Sequence, residues 1–209
     1  MKKIILILVS VFALGSVAAI AASPLSPKKI ESMAKKQAKT LTKEGWKVAP
    51  GALPMEAQLV DMYTKQYDRD DVGRPKFLIG ESQPIGEFYD AAALQAMTDA
   101  KVSIARQLGS DISAKMEAEL ANKQLSQKQA ASVAQVTAKA MEVVSHKLGR
   151  VVPLLTCHRE LPNGNIQMMM QVGYPSIEGL EEAKEAIRAK LEEEARGLSL
   201  EFDCLKANK

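Results

Sequence analysis

The chain has 209 residues, of which 28 are basic and 25 acidic, and aromatic side chains make up 4%. Residues 1–22 contain Lys2 and Lys3 and no acid, so the remainder has 26 basic against 25 acidic side chains, a net charge of +1. This balance gives no electrostatic case for binding nucleic acid, and the scarcity of aromatic rings argues against a base-stacking platform. The length suits one domain, or one domain with a small appended lobe.

The first 22 residues have the pattern of a secretory signal peptide. Lys2 and Lys3 precede an apolar run from Ile4 to Val17, and Ala19-Ile20-Ala21 supplies a small-residue cleavage site. The alternative is an uncleaved anchor, because the apolar stretch approaches the roughly 20 residues that cross a bilayer. The small residues at its end favour cleavage. No cysteine lies at that point, so the sequence predicts an exported, soluble chain without its own lipid.

The next segment predicts a helix–strand–helix–strand order. Ser26-Pro27 has the pattern of a helix start, apolar residues follow at helical spacing, and Gly45 ends the run. Residues 46–48 form a short strand candidate, and Pro54 opens a second helix. The apolar run 76–82 then predicts another strand.

The longest periodic segment runs from Glu87 to Leu120. Seven apolar positions keep the three-and-four spacing of one helix face, which must be buried. They are Met97, Ala100, Ile104, Leu108, Ile112, Met116 and Leu120. Ser126 with Gln129 forms a capping box that predicts a further helix to about Leu148.

A hairpin and a final helix follow. Two apolar runs, 150–161 and 165–174, flank the turn residues Pro162-Asn163-Gly164. Ser176 then caps a helix that ends near Gly197, and the tail 198–206 predicts a short strand. This order indicates an α+β fold, a mainly antiparallel sheet with a C-terminal hairpin, packed by long amphipathic helices.

The same order predicts the domain organisation. After the leader, residues 23–84 form an N-terminal helix–strand–helix–strand segment, either a lobe or an extension of the sheet. Residues 85–209 form a helix-on-sheet domain.

Three consecutive methionines raise the question of a soft-metal site. Side chains alternate along a strand, so Met169 points away from its two neighbours and the three cannot converge on one ion. Cys157 and His158 likewise point to opposite faces. Packing is therefore favoured. The predicted core face of the hairpin is Ile166, Met168, Met170 and Val172.

The sequence is compatible with two registers of the hairpin. A four-residue loop would pair Leu161 with Ile166 and place Cys157 beside Met170 and Leu155 beside Val172. This register matches hydrophobic residues across one buried face, and we favour it.

The turn chemistry itself favours a three-residue loop with Gly164 in a bulge. That register would place Thr156 opposite Met170 and His158 opposite Met168. The second pair could form a weak copper(I) site.

The sequence offers little for catalysis, and no catalytic, metal or cofactor residue is assigned. It has two histidines and no nucleophile elbow, zinc-binding helix motif, phosphate loop or dinucleotide fingerprint. The acidic run at Asp68, Asp70 and Asp71 lacks the glycine and glutamate of a calcium loop. Export would permit a Cys157–Cys204 disulfide, and the alternative of two separate thiols stays open.

One stretch resembles a known family. The pattern A-x-x-x-A-[KR]-x-x-[IL]-A-[RK] is met by Ala96, Ala100, Lys101, Ile104, Ala105 and Arg106. Gly164 then precedes the second hairpin strand. Over residues 87–174 the chain is similar to small bacterial twenty-kilodalton outer-membrane lipoproteins and to the N-terminal domain of flagellar assembly protein T. The resemblance implies a compact helix-on-sheet domain, without known catalysis, in a cell-envelope protein. The lipidated cysteine of the lipoproteins is missing here.

These observations favour a non-enzymatic, exported envelope protein of a Gram-negative bacterium, periplasmic or extracellular. It would act through contacts with other envelope proteins, and a peripheral association with the envelope fits the same pattern. One alternative is a periplasmic hydrolase that uses carboxylates. Another is a binder of small apolar ligands or lipid, with a pocket between the long helix and the methionine-lined sheet.

Overall fold

The computed structural model describes residues 25–122 and 148–194. The predicted leader, the helix predicted from Ser126, and the tail that contains Cys204 lie outside the described residues.

The described residues form four helices and one four-stranded antiparallel sheet, which confirms the α+β prediction. The helices are α1 (Pro27–Lys43), α2 (Met55–Tyr67), α3 (Tyr89–Asn122) and α4 (Ser176–Glu194). The strands are β1 (Phe77–Ser82), β2 (Ile85–Gly86), β3 (Val152–Glu160) and β4 (Ile166–Pro175).

Strand β4 lies at the centre of the sheet. β3 pairs with one of its edges. β1 and β2 pair with successive parts of the other edge, at residues 170–175 and 166–167. The segment before residue 84 therefore contributes β1 to the same sheet as the hairpin.

The carboxyl end of α1 is a Schellman motif. The Trp46 N–H donates to the Leu41 carbonyl at 3.0 Å, and the Gly45 N–H donates to the Thr42 carbonyl at 3.1 Å. Leu41 and Trp46 are both buried in one apolar cluster. The motif thus ends α1 at the predicted glycine and directs Trp46 under the sheet.

Helices cover both faces of the sheet. The cluster on one face, here the α1/α2 core, includes Leu41, Trp46, Leu59, Met62, Leu155 and Cys157. The cluster on the other face, the α3/α4 core, includes Ala100, Ile104, Leu108, Met168, Val172 and Ile187. The protein therefore has three layers, helices on either side of a central sheet.

The two hairpin strands supply opposite cores. Met168, Met170 and Val172 of β4 are buried in the α3/α4 core, and Ile166 is half-buried. Leu155 and Cys157 of β3 are buried in the α1/α2 core. Met169, apolar on the side expected to be polar, packs against the same α1/α2 core.

The favoured register is wrong. Glu160 pairs with Ile166, His158 with Met168 and Thr156 with Met170. The premise of one buried face failed, because both faces of the hairpin are buried. Met168 and Met170 enter one core, while Met169 and its partner Cys157 enter the other, so either register buries apolar residues.

Turn chemistry decides the register instead. The Leu161 N–H donates to the Asn165 carbonyl at 2.8 Å, and the Gly164 N–H donates to the Leu161 carbonyl at 2.9 Å. Gly164 has a φ of 83°, in the left-handed region. These features define a three-residue loop with a glycine bulge.

An irregularity in β3 helps to fill the α1/α2 core. The pairing with β4 shifts between Pro153 and Leu155, so Leu154 is an extra residue. Both Leu154 and Leu155 are then buried in the α1/α2 core, which strict alternation would not allow.

Replacement of Gly164 tests the turn. A Cβ at this position meets no atom within 4 Å, so any cost comes from the backbone conformation. We expect Gly164→Ala to lower the free energy of unfolding by about 1–2 kcal/mol, measured by urea denaturation. Gly164→Asn should cost less, because asparagine tolerates the left-handed region better. An alanine variant as stable as the wild type would contradict this turn assignment.

Candidate interaction surfaces

His158 lies where the copper(I) alternative would place it, opposite Met168. Its ring meets Tyr89 edge to face, with centroids 5.1 Å apart. The Met168 side chain is fully buried. The His158 Nδ1 atom is buried and has no hydrogen-bond partner among the described residues. The imidazole thus packs against the aromatic ring of Tyr89.

Cys157 lies on the opposite face from His158. Its side chain is fully buried in the α1/α2 core and has no disulfide partner among the described residues. Burial raises the pKa of Cys157 to about 12, so the thiol stays protonated at neutral pH. A protonated thiol is neither a good nucleophile nor a metal ligand. The two neighbours therefore do not form a catalytic pair. Since Cys204 lies outside the described residues, the disulfide stays a prediction.

The acidic loop is held by its own hydrogen bonds. The Asp70 carboxylate accepts from the backbone N–H of Val72 and Arg74, and from Arg74 Nε at 2.7 Å. Burial alone would raise the pKa of Asp70, but these bonds outweigh it and hold that pKa below its ordinary value. Asp68 pairs with Lys76 at 3.1 Å. Across residues 25–122 and 148–194, no three His, Cys, Asp or Glu side chains converge as metal ligands would.

The outer edge of β3 is covered by polar contacts. Gln58 of α2, only 9% exposed, accepts from the Thr156 N–H at 2.8 Å and donates to the Leu53 carbonyl at 2.7 Å. Lys47 and His158 exchange two backbone hydrogen bonds of 2.8 Å each. An edge strand covered in this way is protected from pairing with another chain.

The space between α3 and β1 is filled. A Cβ at Gly80 would lie 2.1 Å from the Ala100 carbonyl oxygen, so strand and helix backbones touch. No ligand fits between these two backbones at this point. A separate open cleft of about 330 Å³ lies between the start of α1 and the end of α2. It is lined by Leu25, Ile30, Glu31, Val60, Tyr67 and Asp68, among others.

Large apolar side chains are exposed where β2 leads into α3. Ile85 is 51% exposed, Phe88 71% and Leu94 72%. We call this group the β2–α3 corner. Gly86 lies within it, and a Cβ there would be 3.1 Å from the Ala92 side chain, so β2 packs directly on the first turn of α3.

Helix α1 presents a second surface, which sequence reasoning missed. Its basic face consists of six exposed lysines, Lys28, Lys29, Lys35, Lys36, Lys39 and Lys43. Among the described residues, none of the six forms an ion pair. The sequence did contain a signal for this surface, because a count of charged residues on each predicted helix shows the excess of lysines on α1.

This basic face costs helix stability. Lys35, Lys39 and Lys43 follow one another at four-residue spacing, and like charges so placed destabilise a helix by about 0.2–0.5 kcal/mol per pair. Lys28 and Lys29 lie at the amino end, where the helix dipole disfavours a cation and the first turn has no acid. Only Lys43, in the last turn, is favoured by the helix dipole, so the fold gives no reason for the arrangement of the other five.

Comparisons with protein-family models, curated proteins and solved structures found no match. The resemblance over residues 87–174 accordingly stays a prediction. Within the part of the chain that the structure describes, no helix combines the length and the apolar character that a membrane span requires.

Proposed function

We propose that this chain is an exported, non-enzymatic protein of the cell envelope that acts by binding another protein through the β2–α3 corner. The predicted leader and the resemblance to envelope proteins support the location. The buried thiol of Cys157 and the self-contained acidic loop support a binding role over a catalytic one.

The observation that carries the proposal is the exposure of Phe88. The chain has four phenylalanines, and this one is 71% exposed immediately before a long helix. Ile85 and Leu94 are exposed on either side of it in the sequence. Single exposed apolar residues are ordinary, but several near one corner are typical of interaction sites.

The physical gain from a partner would come from Phe88 and Leu94. Both side chains are mostly in water in this structure, so a partner pocket could bury most of their apolar area. Buried aromatic anchors commonly dominate binding energy, at about 2 kcal/mol or more when truncated, so Phe88 should contribute more than Leu94. Gly86 of β2 packs closely on Ala92, so the backbone that carries this corner is held against the sheet.

The test has two steps. A partner is first captured from the native envelope by its affinity for this protein, and the affinity of the purified partner for each variant is then measured. We expect Phe88→Ser with Leu94→Ser to weaken the complex at least about tenfold. The control is Leu53→Ser with Val72→Ser, which removes two side chains that are 68% and 72% exposed elsewhere.

The control variant should bind as the wild type does. Equal weakening by both variants, or a partner whose affinity is unchanged by the corner variant, would overturn the proposal. Hydrolysis of an envelope polymer by the purified wild type would also overturn it.

A further inference from the structure

The basic face of α1 is a second interaction surface, and its charge identifies the partner. We infer that it docks on an anionic lipid bilayer, in contact with the headgroups and without insertion. This surface lies apart from the β2–α3 corner, so the inference goes beyond the proposed function.

The lysines occupy one continuous stripe. At about 100° per residue, all six fall within an arc of about 120° around the axis of α1. The stripe runs for about 22 Å between Lys28 and Lys43, given a rise of about 1.5 Å per residue. Its centre is opposite the buried side of the helix, formed by Ile30, Ala34, Ala38 and Leu41. The whole stripe therefore faces solvent.

The charge is concentrated on this helix. Six lysines and one glutamate, Glu31, give α1 a charge of +5, so the rest of the chain after residue 22 carries −4. Positive charge is thus concentrated on α1 although the net charge is small. Such a molecule turns its basic side toward an anionic surface.

The residue type favours a lipid surface over a defined phosphate site. All basic residues of α1 are lysines, which act as mobile point charges and suit a diffuse layer of headgroups. Arginine, whose planar fork recognises single phosphates, is absent from this helix. The stripe also has no aromatic ring on which a nucleic-acid base could stack.

The protein binds at the membrane surface without insertion, because the apolar side of α1 is already buried within the fold. Ala34, Ala38 and Leu41 pack in the α1/α2 core, and Ile30 is buried as well. An amphipathic helix that inserts needs that side free for the acyl region. Binding through the lysines alone should weaken steeply with salt.

The experiment is vesicle sedimentation with protein purified after expression of the full-length chain, its mass showing that the leader is removed. Vesicles of phosphatidylcholine with 30% phosphatidylglycerol are compared with phosphatidylcholine alone. We expect binding to the anionic vesicles only, and its loss in high salt.

The decisive variant is Lys35→Gln, Lys39→Gln and Lys43→Gln together. Each lysine near an anionic surface contributes about fivefold to partitioning, so the triple change should lower binding about a hundredfold. The thermal midpoint should stay the same or rise, since glutamine has a similar helix propensity and like-charge repulsion is removed.

The matched control is Arg106→Gln, Lys115→Gln and Arg150→Gln, three exposed residues of which two lie on α3, across the sheet. It changes the net charge equally, and its vesicle binding should fall by less than about fivefold.

Equal loss of binding in both variants, or equal binding to both kinds of vesicle, would overturn the inference. So would 20-base-pair DNA binding as tight as vesicle binding and lost in the same variant. The corner variant should keep vesicle binding, which separates a failure here from a failure of the proposed function.

Discussion

The substitution Gly80→Ala is expected to lower the free energy of unfolding by about 3 kcal/mol, the upper end of the usual cost of overpacking. The new Cβ would lie 2.1 Å from the Ala100 carbonyl oxygen and 2.7 Å from Ile104 Cγ1. A backbone oxygen cannot rotate away, so α3 must separate from β1. That movement would open the α3/α4 core along the side where Ala92, Ala96 and Ala100 are fully buried.

Equilibrium denaturation in urea measures this loss. Glu81→Ala, at the exposed neighbour, is the control and should change the free energy of unfolding by no more than about 0.5 kcal/mol. If Gly80→Ala proved as stable as this control, α3 would not lie as close to the sheet as the structure shows. If the alanine variant fails to fold, amide exchange in an osmolyte that restores folding should still show weakened protection in α3 and β1.

Much of the secondary structure could be predicted from local signals. Ser26-Pro27 and Gly45 bound α1 as their chemistry indicates, and the run at 76–82 is strand β1 within one residue. Signals of this kind act over a few residues, so they depend less on tertiary context, although the strand predicted at residues 46–48 is only an isolated bridge between Lys47 and His158. The turn at Gly164 is another example, because its conformation sets the hairpin register and hydrophobic matching does not.

The features that were not predicted depend on which of the two cores each side chain packs in. Met169 and Cys157 belong to a strand pair that is buried on both faces, and alternation alone does not distinguish a solvated face from a second core. The extra residue at Leu154 breaks the alternation altogether. The requirement for glycine at position 80 is set by a helix that begins nine residues later, so no local pattern shows it.

The two candidate surfaces also differ in how far the sequence predicts them. The lysine stripe of α1 could be predicted, because helix periodicity and charge sign are both readable from the sequence. The exposure of Phe88 could not, since an apolar residue next to a predicted helix is expected to be buried. Only the folded structure shows that the ring is 71% exposed.

Leu155→Ala and Val172→Ala are expected to destabilise independently. Leu155 is buried in the α1/α2 core and Val172 in the α3/α4 core, on opposite sides of the sheet. Loss of buried leucine should cost about 2–5 kcal/mol, and loss of two valine methyls about 2 kcal/mol. Since the cavities share no lining, the coupling in the double variant should stay below about 0.5 kcal/mol.

A single-core hairpin predicts another outcome, because there the two side chains touch. Coupling above about 1 kcal/mol in urea denaturation would support it and contradict the three-layer arrangement. If the double variant is unfolded in buffer, the same cycle can be measured in a stabilising osmolyte. Trp46, the chain's one tryptophan, supplies an independent readout from within the α1/α2 core. Leu155→Ala should shift its emission in the folded protein, whereas Val172→Ala should leave it unchanged, because only the first cavity opens on its side of the sheet.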